Sequence, residues 1–187
     1  MWIYTVYVFL MVIPKALFQI PMSYEANFVS IDYSPNSQPF DGTNIRLIGR
    51  ERMLNGTFKI LEDSDDTHYE VAIDIYTNSA RDGNFKLMPL SLPRQGICTL
   101  FKKHGDYMKD NIKYGVNTDL SVGTNTCLFP KGTYYLKNVA INVKRWPVIM
   151  PRGLCRHVVK LYKDGEQVGT YNVTTSIEDR TPSFLGV

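Results

Sequence analysis

The sequence is poor in net charge, in cysteine and in histidine. Its 187 residues carry 21 Lys and Arg against 18 Asp and Glu, a formal charge of +3, with three Cys and three His. A nucleic-acid-binding domain normally shows a concentrated basic stripe, whereas the basic residues here are scattered, which predicts no nucleic-acid partner. Five basic residues form either a basic rim near a predicted helix or an ordinary solvated face: Arg94, Lys102, Lys103, Lys109 and Lys113.

Motifs for catalysis, metal binding and phosphate binding are also absent. The chain has no Gly-x-Ser-x-Gly nucleophile motif, no Gly-rich phosphate loop and no Cys/His spacing that suits zinc. Asp63, Asp65 and Asp66 lack the glycine and the distant glutamate of a calcium loop, which favours a solvated turn. The histidines fall in different segments with no companion motif: His68, His104 and His157. We therefore expect a non-enzymatic protein with no cofactor and no metal; a hydrolase that uses His104 is a minor alternative.

A long apolar run occurs at the start of the chain. Met1–Ile13 is uncharged and ends at Pro14-Lys15. A membrane-spanning helix needs about 20 apolar residues, whereas the core of a signal peptide needs about 7–15. We expect residues 1–23 to be a signal peptide, cleaved between 16 and 23, and the protein to be extracellular and secreted. A short membrane anchor or a buried strand is the alternative.

Most of the remaining chain has the alternation of β-strands. It is clearest where Tyr69, Val71, Ile73 and Ile75 alternate with more polar neighbours. After a short segment at 27–33 and a loop, strands are predicted at approximately 44–54, 56–62, 67–78, 84–90, 134–143, 154–162 and 167–177, with a short helix within 97–112. The pattern predicts one all-β, mainly antiparallel domain over 24–187, a two-sheet sandwich or cup of about seven to eight strands with one short helix. The strand at 154–162 is apolar on both faces and is therefore expected at the centre of a sheet.

Two N-glycosylation acceptors agree with secretion. Asn55-Gly56-Thr57 contains a dipeptide that tolerates positive φ, so we expect Asn55 at the tip of a hairpin. Asn172-Val173-Thr174 lies in a strand pattern that points Asn172 away from the more apolar face. Asp164-Gly165 predicts a second hairpin turn, between the last two strands.

Three cysteines allow one internal disulfide. Cys98 and Cys127 both lie next to loops, whereas Cys155 lies within the most apolar strand. We expect a Cys98–Cys127 disulfide and a buried Cys155 thiol.

The segment after Gly123 carries a family resemblance. Residues 125–139 read Asn-Thr-Cys-Leu-Phe-Pro-Lys-Gly-Thr-Tyr-Tyr-Leu-Lys-Asn-Val, followed by Trp146-Pro147 and Pro151-Arg152-Gly153-Leu154-Cys155-Arg156. Over roughly residues 25–180 the chain resembles the insect CheB-type chemosensory proteins, a family similar to the ganglioside activator and MD-type lipid-recognition domains. The resemblance implies a secreted β-cup that binds a lipid or cuticular hydrocarbon, functions in contact chemosensation or pheromone perception, and acts with a degenerin-type sodium channel or another receptor.

A cup needs apolar side chains that face inward from several strands. The expected cavity residues are Phe58, Ile60, Val71, Ile73, Ile75, Phe85, Leu87, Val139, Ile141 and Val158. Three hydroxyls are expected at its rim: Tyr76, Tyr134 and Tyr135. The same apolar residues would equally fill a dry sandwich core, because alternation does not distinguish a lined pocket from a filled one.

An alternative function is an extracellular interaction protein that acts on a receptor or ion channel without a small ligand. Trp146-Pro147 is its contact candidate, although a tryptophan there also suits a lid over the core.

Overall fold

The computed structural model describes residues 23–34, 39–121 and 128–180. The predicted signal peptide lies outside these residues except for Ser23. Ten strands form in chain order: β1 (Tyr24–Tyr33), β2 (Phe40–Asp41), β3 (Arg46–Ile48), β4 (Met53–Ile60), β5 (Tyr69–Asn78), β6 (Lys86–Leu87), β7 (Leu92–Gly96), β8 (Gly132–Val139), β9 (Gly153–Lys163) and β10 (Glu166–Asp179). One α-helix, α1 (Ile97–His104), and two 3₁₀ helices, Gly105–Tyr107 and Val143–Arg145, complete the described elements.

The strands form two antiparallel sheets, as predicted. A six-stranded sheet, the large sheet, has the order β1-β10-β9-β5-β6, with β7 also paired to β5. A four-stranded sheet, the small sheet, has β4 paired with β2, β3 and β8. The all-β sandwich with one short helix is therefore confirmed, and β9 occupies the central position that its two apolar faces predicted. None of the helices within the described ranges is long and apolar enough to cross a membrane.

The two faces of the large sheet differ in chemistry. The inner face, which carries the odd-numbered residues of β5 and β9, packs against the small sheet and α1. The outer face carries polar contacts: Lys160 Nζ lies 2.7 Å from Asp74 Oδ2, and the Arg156 guanidinium lies 3.8 Å from the centre of the Phe85 ring. This separation is what period-2 alternation along β5 predicted.

Two separate hydrophobic cores cover the inner face. The first core lies between the two sheets and α1 and contains Ile60, Tyr69, Val71, Ile97, Cys98, Leu100, Leu120, Phe129 and Leu161. The second core lies where β1, β9 and β10 meet the chain after β8, and contains Tyr24, Ala26, Val143, Met150, Cys155 and Ile177.

The predicted hairpin at Asn55-Gly56 is wrong. The turn lies earlier, where Gly49 and Arg52 have positive φ angles of 71° and 49°, and Asn55 lies within β4. Gly56 does have a positive φ, 129°, but it pairs with Leu136 beside a bulge, in which Lys137 and Asn138 of β8 lie opposite Asn55 of β4. An Asn-Gly pair tolerates this backbone in a bulge as well as in a turn, which explains the error.

Smaller differences have local causes. β8 ends at Val139 instead of residue 143, and Asn138 within it has a φ of 50° at the bulge opposite β4. β7 was not predicted; it contains Pro93 and pairs only with β5 among the described strands, as an edge strand permits. The predicted strand at 84–90 shrinks to Lys86–Leu87.

Candidate functional site

A strip of half-buried side chains crosses the inner face between the two cores. We call Ile73, Ile75, His157, Val159 and Val173 the inner band. Strand register places them side by side, since Ile73 pairs with Val159, and His157 pairs with both Ile75 and Val173. Ile73 and Val159 pack against the first core and Ile75 packs against the second. The inner band therefore offers apolar surface that neither core fully covers.

The predicted cavity residues divide among five places. Phe58, Ile60 and Val71 lie in or against the first core, Ile73 and Ile75 lie in the inner band, and Ile141 packs against the second core. Val139 is 2% exposed and pairs with Leu54 in the small sheet. Val158, Phe85 and Leu87 are associated with the outer face.

The outer placement of Val158 follows from strand parity. Val158 pairs with Asp74 and Asn172, on the face opposite to His157 and Val159. Because β9 is apolar on both faces, its sequence did not indicate which face points inward. Asn172 shares the outer face with Val158, away from the more apolar inner face.

The three expected rim tyrosines do not meet at one opening. Tyr134 points inward, stacks on Phe58 with ring centres 5.6 Å apart, and donates its hydroxyl to the Pro130 carbonyl at 2.8 Å. Tyr76 pairs with Leu87 and therefore lies on the outer face of the large sheet. Tyr135 is 36% exposed on the other side of the small sheet from Tyr134.

Cys155 and His157 form a pair that the sequence analysis missed. They are two residues apart on β9, so both point inward, and Cys155 Sγ lies 3.9 Å from His157 Nε2. Burial raises the pKa of the Cys155 thiol to about 11 and lowers the pKa of His157 below 6.5. Both groups are therefore neutral near pH 7, unlike the thiolate and imidazolium of a nucleophilic pair. The i, i+2 spacing within a strand is the signal that could have revealed the pair.

The other two histidines lie in separate places. His68 Nδ1 is 3.5 Å from Asp65 Oδ1 on the surface, and the His104 ring stacks on Tyr107 with centres 6.4 Å apart. Within the described ranges, no three His, Cys, Asp or Glu side chains are grouped so that they could hold a metal ion.

The aspartate turn before β5 serves the fold. Asp66 accepts hydrogen bonds from the backbone N–H of Cys98 at 2.6 Å and of Thr99 at 3.2 Å, at the start of α1. Asp65 accepts from Thr67 N at 2.8 Å, and Asp63 accepts from Lys131 N at 2.6 Å. These carboxylates hold backbone groups in place, so the turn is not merely solvated.

The five basic residues of the predicted rim are dispersed. Arg94 pairs with Glu70 and lies over the Tyr162 ring at 4.2 Å, on the outer face. Lys109 pairs with Asp106, and Lys103 lies 3.5 Å from Gln95 Oε1. The remaining two differ in position: Lys102 is exposed on α1 and Lys113 lines a cleft.

That cleft, which we call the polar cleft, has a volume of about 540 Å³. It opens between the chain around residues 110–117, the end of β8 with the residues that follow it, and the start of β1. Its cationic residues are Lys113, Lys137, Lys144 and Arg180, and its acidic residues are Glu25 and Asp110. Of the predicted cavity residues, Ile141 alone is among its lining residues.

The chain after the second 3₁₀ helix exposes a small apolar tip. Val148 is 65% exposed and Ile149 is 87% exposed. Trp146 packs against the second core, and the Pro147 carbonyl accepts a hydrogen bond from the Tyr24 hydroxyl at 2.6 Å. The apolar surface at this tip is therefore that of Val148 and Ile149, while Trp146 lies on the core.

The Cys98–Cys127 disulfide and the glycosylation of Asn55 remain predictions. Of the two cysteines in the described ranges, Cys155 is free and buried. The predicted partner of Cys98, Cys127, lies outside the described residues. Asn55 is half-buried, and its Oδ1 accepts from Asn138 N at 3.0 Å.

Comparison with known proteins finds a match between part of the chain and one family model. A family model described as "Protein of unknown function (DUF1091)" matches residues 71–155, which is less than half of the chain. The match begins in β5 and ends at Cys155 in β9, and it includes α1 and β8. No curated protein matches the chain. The family is uncharacterised, so the match supplies no activity.

Proposed function

We propose that this is a secreted, non-enzymatic protein that binds a lipid or hydrocarbon-like ligand, in the manner of the CheB-type chemosensory proteins and their lipid-recognition relatives. Contact chemosensation or pheromone perception is the corresponding physiological setting. The inner band is the observation that carries this proposal.

The inner band suits an apolar ligand because its side chains are only half-buried. A ligand that lies along Ile73, Ile75 and Val173 would remove apolar surface from water on both partners. Each buried methylene contributes about 0.8 kcal/mol, so burial of about ten methylenes corresponds to micromolar affinity. Because Cys155 and His157 are neutral, they add no charge to this surface.

The arrangement of the two sheets also supports the proposal. β10 has 14 residues and β9 has 11, whereas the longest strands of the small sheet have 8. At about 3.3 Å per residue the small sheet is too short to cover the whole inner face. The small sheet covers one end of the inner face, and the chain after β8 covers the other end. The inner band lies between these two covered regions.

The proposal is tested by native mass spectrometry of protein secreted from insect cells. We expect a co-purifying adduct of lipid size, and we expect Val173→Trp to abolish it, because a larger ring on the inner band occupies the ligand's place. Val173 belongs to neither core, so the variant is expected to fold.

Val158→Trp is the matched control, since Val158 lies on β9 next to the same region but on the outer face. It should retain the adduct. An apo mass for the wild-type protein under several purification conditions would contradict the proposal, as would equal loss in both tryptophan variants.

A second candidate function is an interaction protein that acts on a receptor or a degenerin-type channel through its surface. The exposure of Val148 and Ile149 favours it, because apolar side chains at a loop tip suit a protein contact. Val148→Ser with Ile149→Ser should then abolish co-precipitation of the channel, while Val173→Trp should leave it intact. Retained co-precipitation by the serine variant would exclude this tip as the contact.

A further inference from the structure

Hydrogen bonds of asparagine residues connect the segments that form the walls of the polar cleft. Asn117 Nδ2 donates to the Asn111 carbonyl and Asn117 Oδ1 accepts from Lys113 N, each at 2.7 Å. Asn111 Oδ1 accepts from Asn142 N at 2.5 Å, and the Asn117 carbonyl accepts from Lys137 N at 2.9 Å. These bonds fasten the chain at 111–117 to the chain around 137–142, so the cleft walls are fixed by the fold.

The charge of the cleft is strongly one-sided. Asp110 is neutralised by Arg145, with Nε 3.0 Å from Oδ2, which leaves Glu25 as the uncompensated acid among the lining residues. The cleft also has four cationic lining residues: Lys113, Lys137, Lys144 and Arg180. In the described part of the chain, none of these four forms an ion pair with a carboxylate. Cations gathered around a concave surface attract an anion.

Neutral donors accompany these cations. Asn111 and Asn142 use their Oδ1 atoms as acceptors for Asn142 N and Lys144 N, at 2.5 and 3.0 Å. Their Nδ2 groups have no hydrogen-bond partner within 23–34, 39–121 or 128–180. Several separated donors suit the several oxygens of a tetrahedral oxyanion, and lysine binds such an anion as a point charge.

The cleft is larger than an inorganic anion requires. About 540 Å³ falls within the usual range of small-molecule sites, about 300–1,000 Å³. Ala26, Ile141 and Val143 give it an apolar wall, which is continuous with the second core. A ligand that matches both the cationic residues and this apolar wall has an anionic end and a compact apolar body.

We propose that the polar cleft binds an organic phosphate or sulfate ester, with its anionic group against Lys137 and Lys144 and its apolar part against Ile141 and Val143. This site is separate from the inner band and does not depend on the function proposed above. Its ligand is either a soluble ester or the headgroup of an anionic lipid.

The test is calorimetric titration of the secreted protein with phenyl phosphate and phenyl sulfate, with neutral phenyl glucoside as the comparison ligand. We expect the esters to bind and the glucoside not to bind, with an affinity that falls as salt is added. Lys137→Gln with Lys144→Gln should weaken ester binding by about tenfold or more, because two of the facing charges are removed. Both lysines are exposed, so the variant is expected to fold, which circular dichroism checks.

Lys102→Gln with Lys103→Gln is the matched control, since it removes the same charge from exposed positions outside the cleft. It should bind like the wild-type protein, and so should Val173→Trp, which separates this site from the inner band. Equal weakening in both lysine variants would overturn the proposal.

Sedimentation with phosphatidic acid vesicles distinguishes the two sources of the anion. Vesicle binding that requires Lys137 and Lys144 and that phenyl phosphate displaces assigns a lipid headgroup, and binding of the esters without binding of the vesicles assigns a soluble ester. Absence of binding to both esters and vesicles would overturn the proposal.

Discussion

At the scale of single residues, Asp66 shows how a distant side chain completes a local structure. α1 begins after Gly96, which has no side chain to cap the helix, and the Asp66 carboxylate caps it from the loop before β5. Capping signals are normally sought within a few residues of the helix start. The sequence therefore indicated the helix near Ile97 but did not reveal its cap.

Gly96→Ala is expected to destabilise the protein because the new Cβ would lie 2.3 Å from Asp66 Oδ1 and displace the carboxylate. The loss should resemble that of Asp66→Ala, about 1–2 kcal/mol, as for loss of a helix cap. Urea denaturation measures it. Gly105→Ala, where a Cβ meets nothing within 4 Å, is the control and should be neutral or stabilising. Equal stability of the two alanine variants would contradict this role of Asp66.

His157 predicts a specific dependence of stability on pH. Burial lowers its pKa in the folded state below 6.5, so the unfolded chain takes up the proton first as the pH falls. The contribution of His157 to the free energy of unfolding is complete above pH 6.5. It should be lost as the pH falls from 6.5 toward the lower pKa that His157 has in the folded state. Unfolding measured at pH 7.5, 6.5 and 5.5 checks this. His157→Phe should flatten the decrease, and an unchanged slope would assign it to another group.

At the scale of elements, the strength of the local signal decided which strands were predicted correctly. Asp164 and Gly165 have φ angles of 48° and 94°, and they form the hairpin turn between β9 and β10 that Asp-Gly predicts. β9 is central because both of its faces are apolar. Asn55-Gly56 lies beside the bulge between β4 and β8 and has the same dipeptide chemistry as a turn. What distinguishes this site from a turn is the nearby backbone of Asn44, which lies outside any local pattern.

Gly56→Ala is expected to be more damaging than Gly49→Ala. Both residues have positive φ, 129° and 71°, which costs alanine about 1–2 kcal/mol. A Cβ at Gly56 would also lie 2.1 Å from the Asn44 carbonyl oxygen, whereas a Cβ at Gly49 meets nothing within 4 Å. We expect a total loss of about 3 kcal/mol or more for Gly56→Ala in urea denaturation. Losses of equal size would show that β4 moves away from Asn44 without cost.

At the scale of the whole molecule, composition and alternation predicted the fold class but did not locate the site. Alternation correctly identified Ile73 and Ile75 as inward-facing, but it also predicted Val158 to face inward. Because both faces of β9 are apolar, its pairing with neighbouring strands decides which face points inward, and its own sequence does not. The polar cleft escaped prediction for a different reason. Its cations come from segments far apart in sequence, such as Lys113 and Arg180, which the fold brings together.

The predicted Cys98–Cys127 disulfide would link the start of α1 to the chain just before Phe129. Cys98 is buried in the first core, and Phe129, two residues after Cys127, packs on Phe101 of α1 with ring centres 5.1 Å apart. A cross-link that closes a loop of this length contributes roughly 3–4 kcal/mol, mainly by restricting the unfolded chain. Cys98→Ser and Cys127→Ser should each lose about this free energy of unfolding, and the double variant should lose no more. Cys155→Ala should keep the Cys98–Cys127 peptide in a non-reducing digest, and a peptide that links Cys98 to Cys155 in the wild-type digest would contradict the pairing.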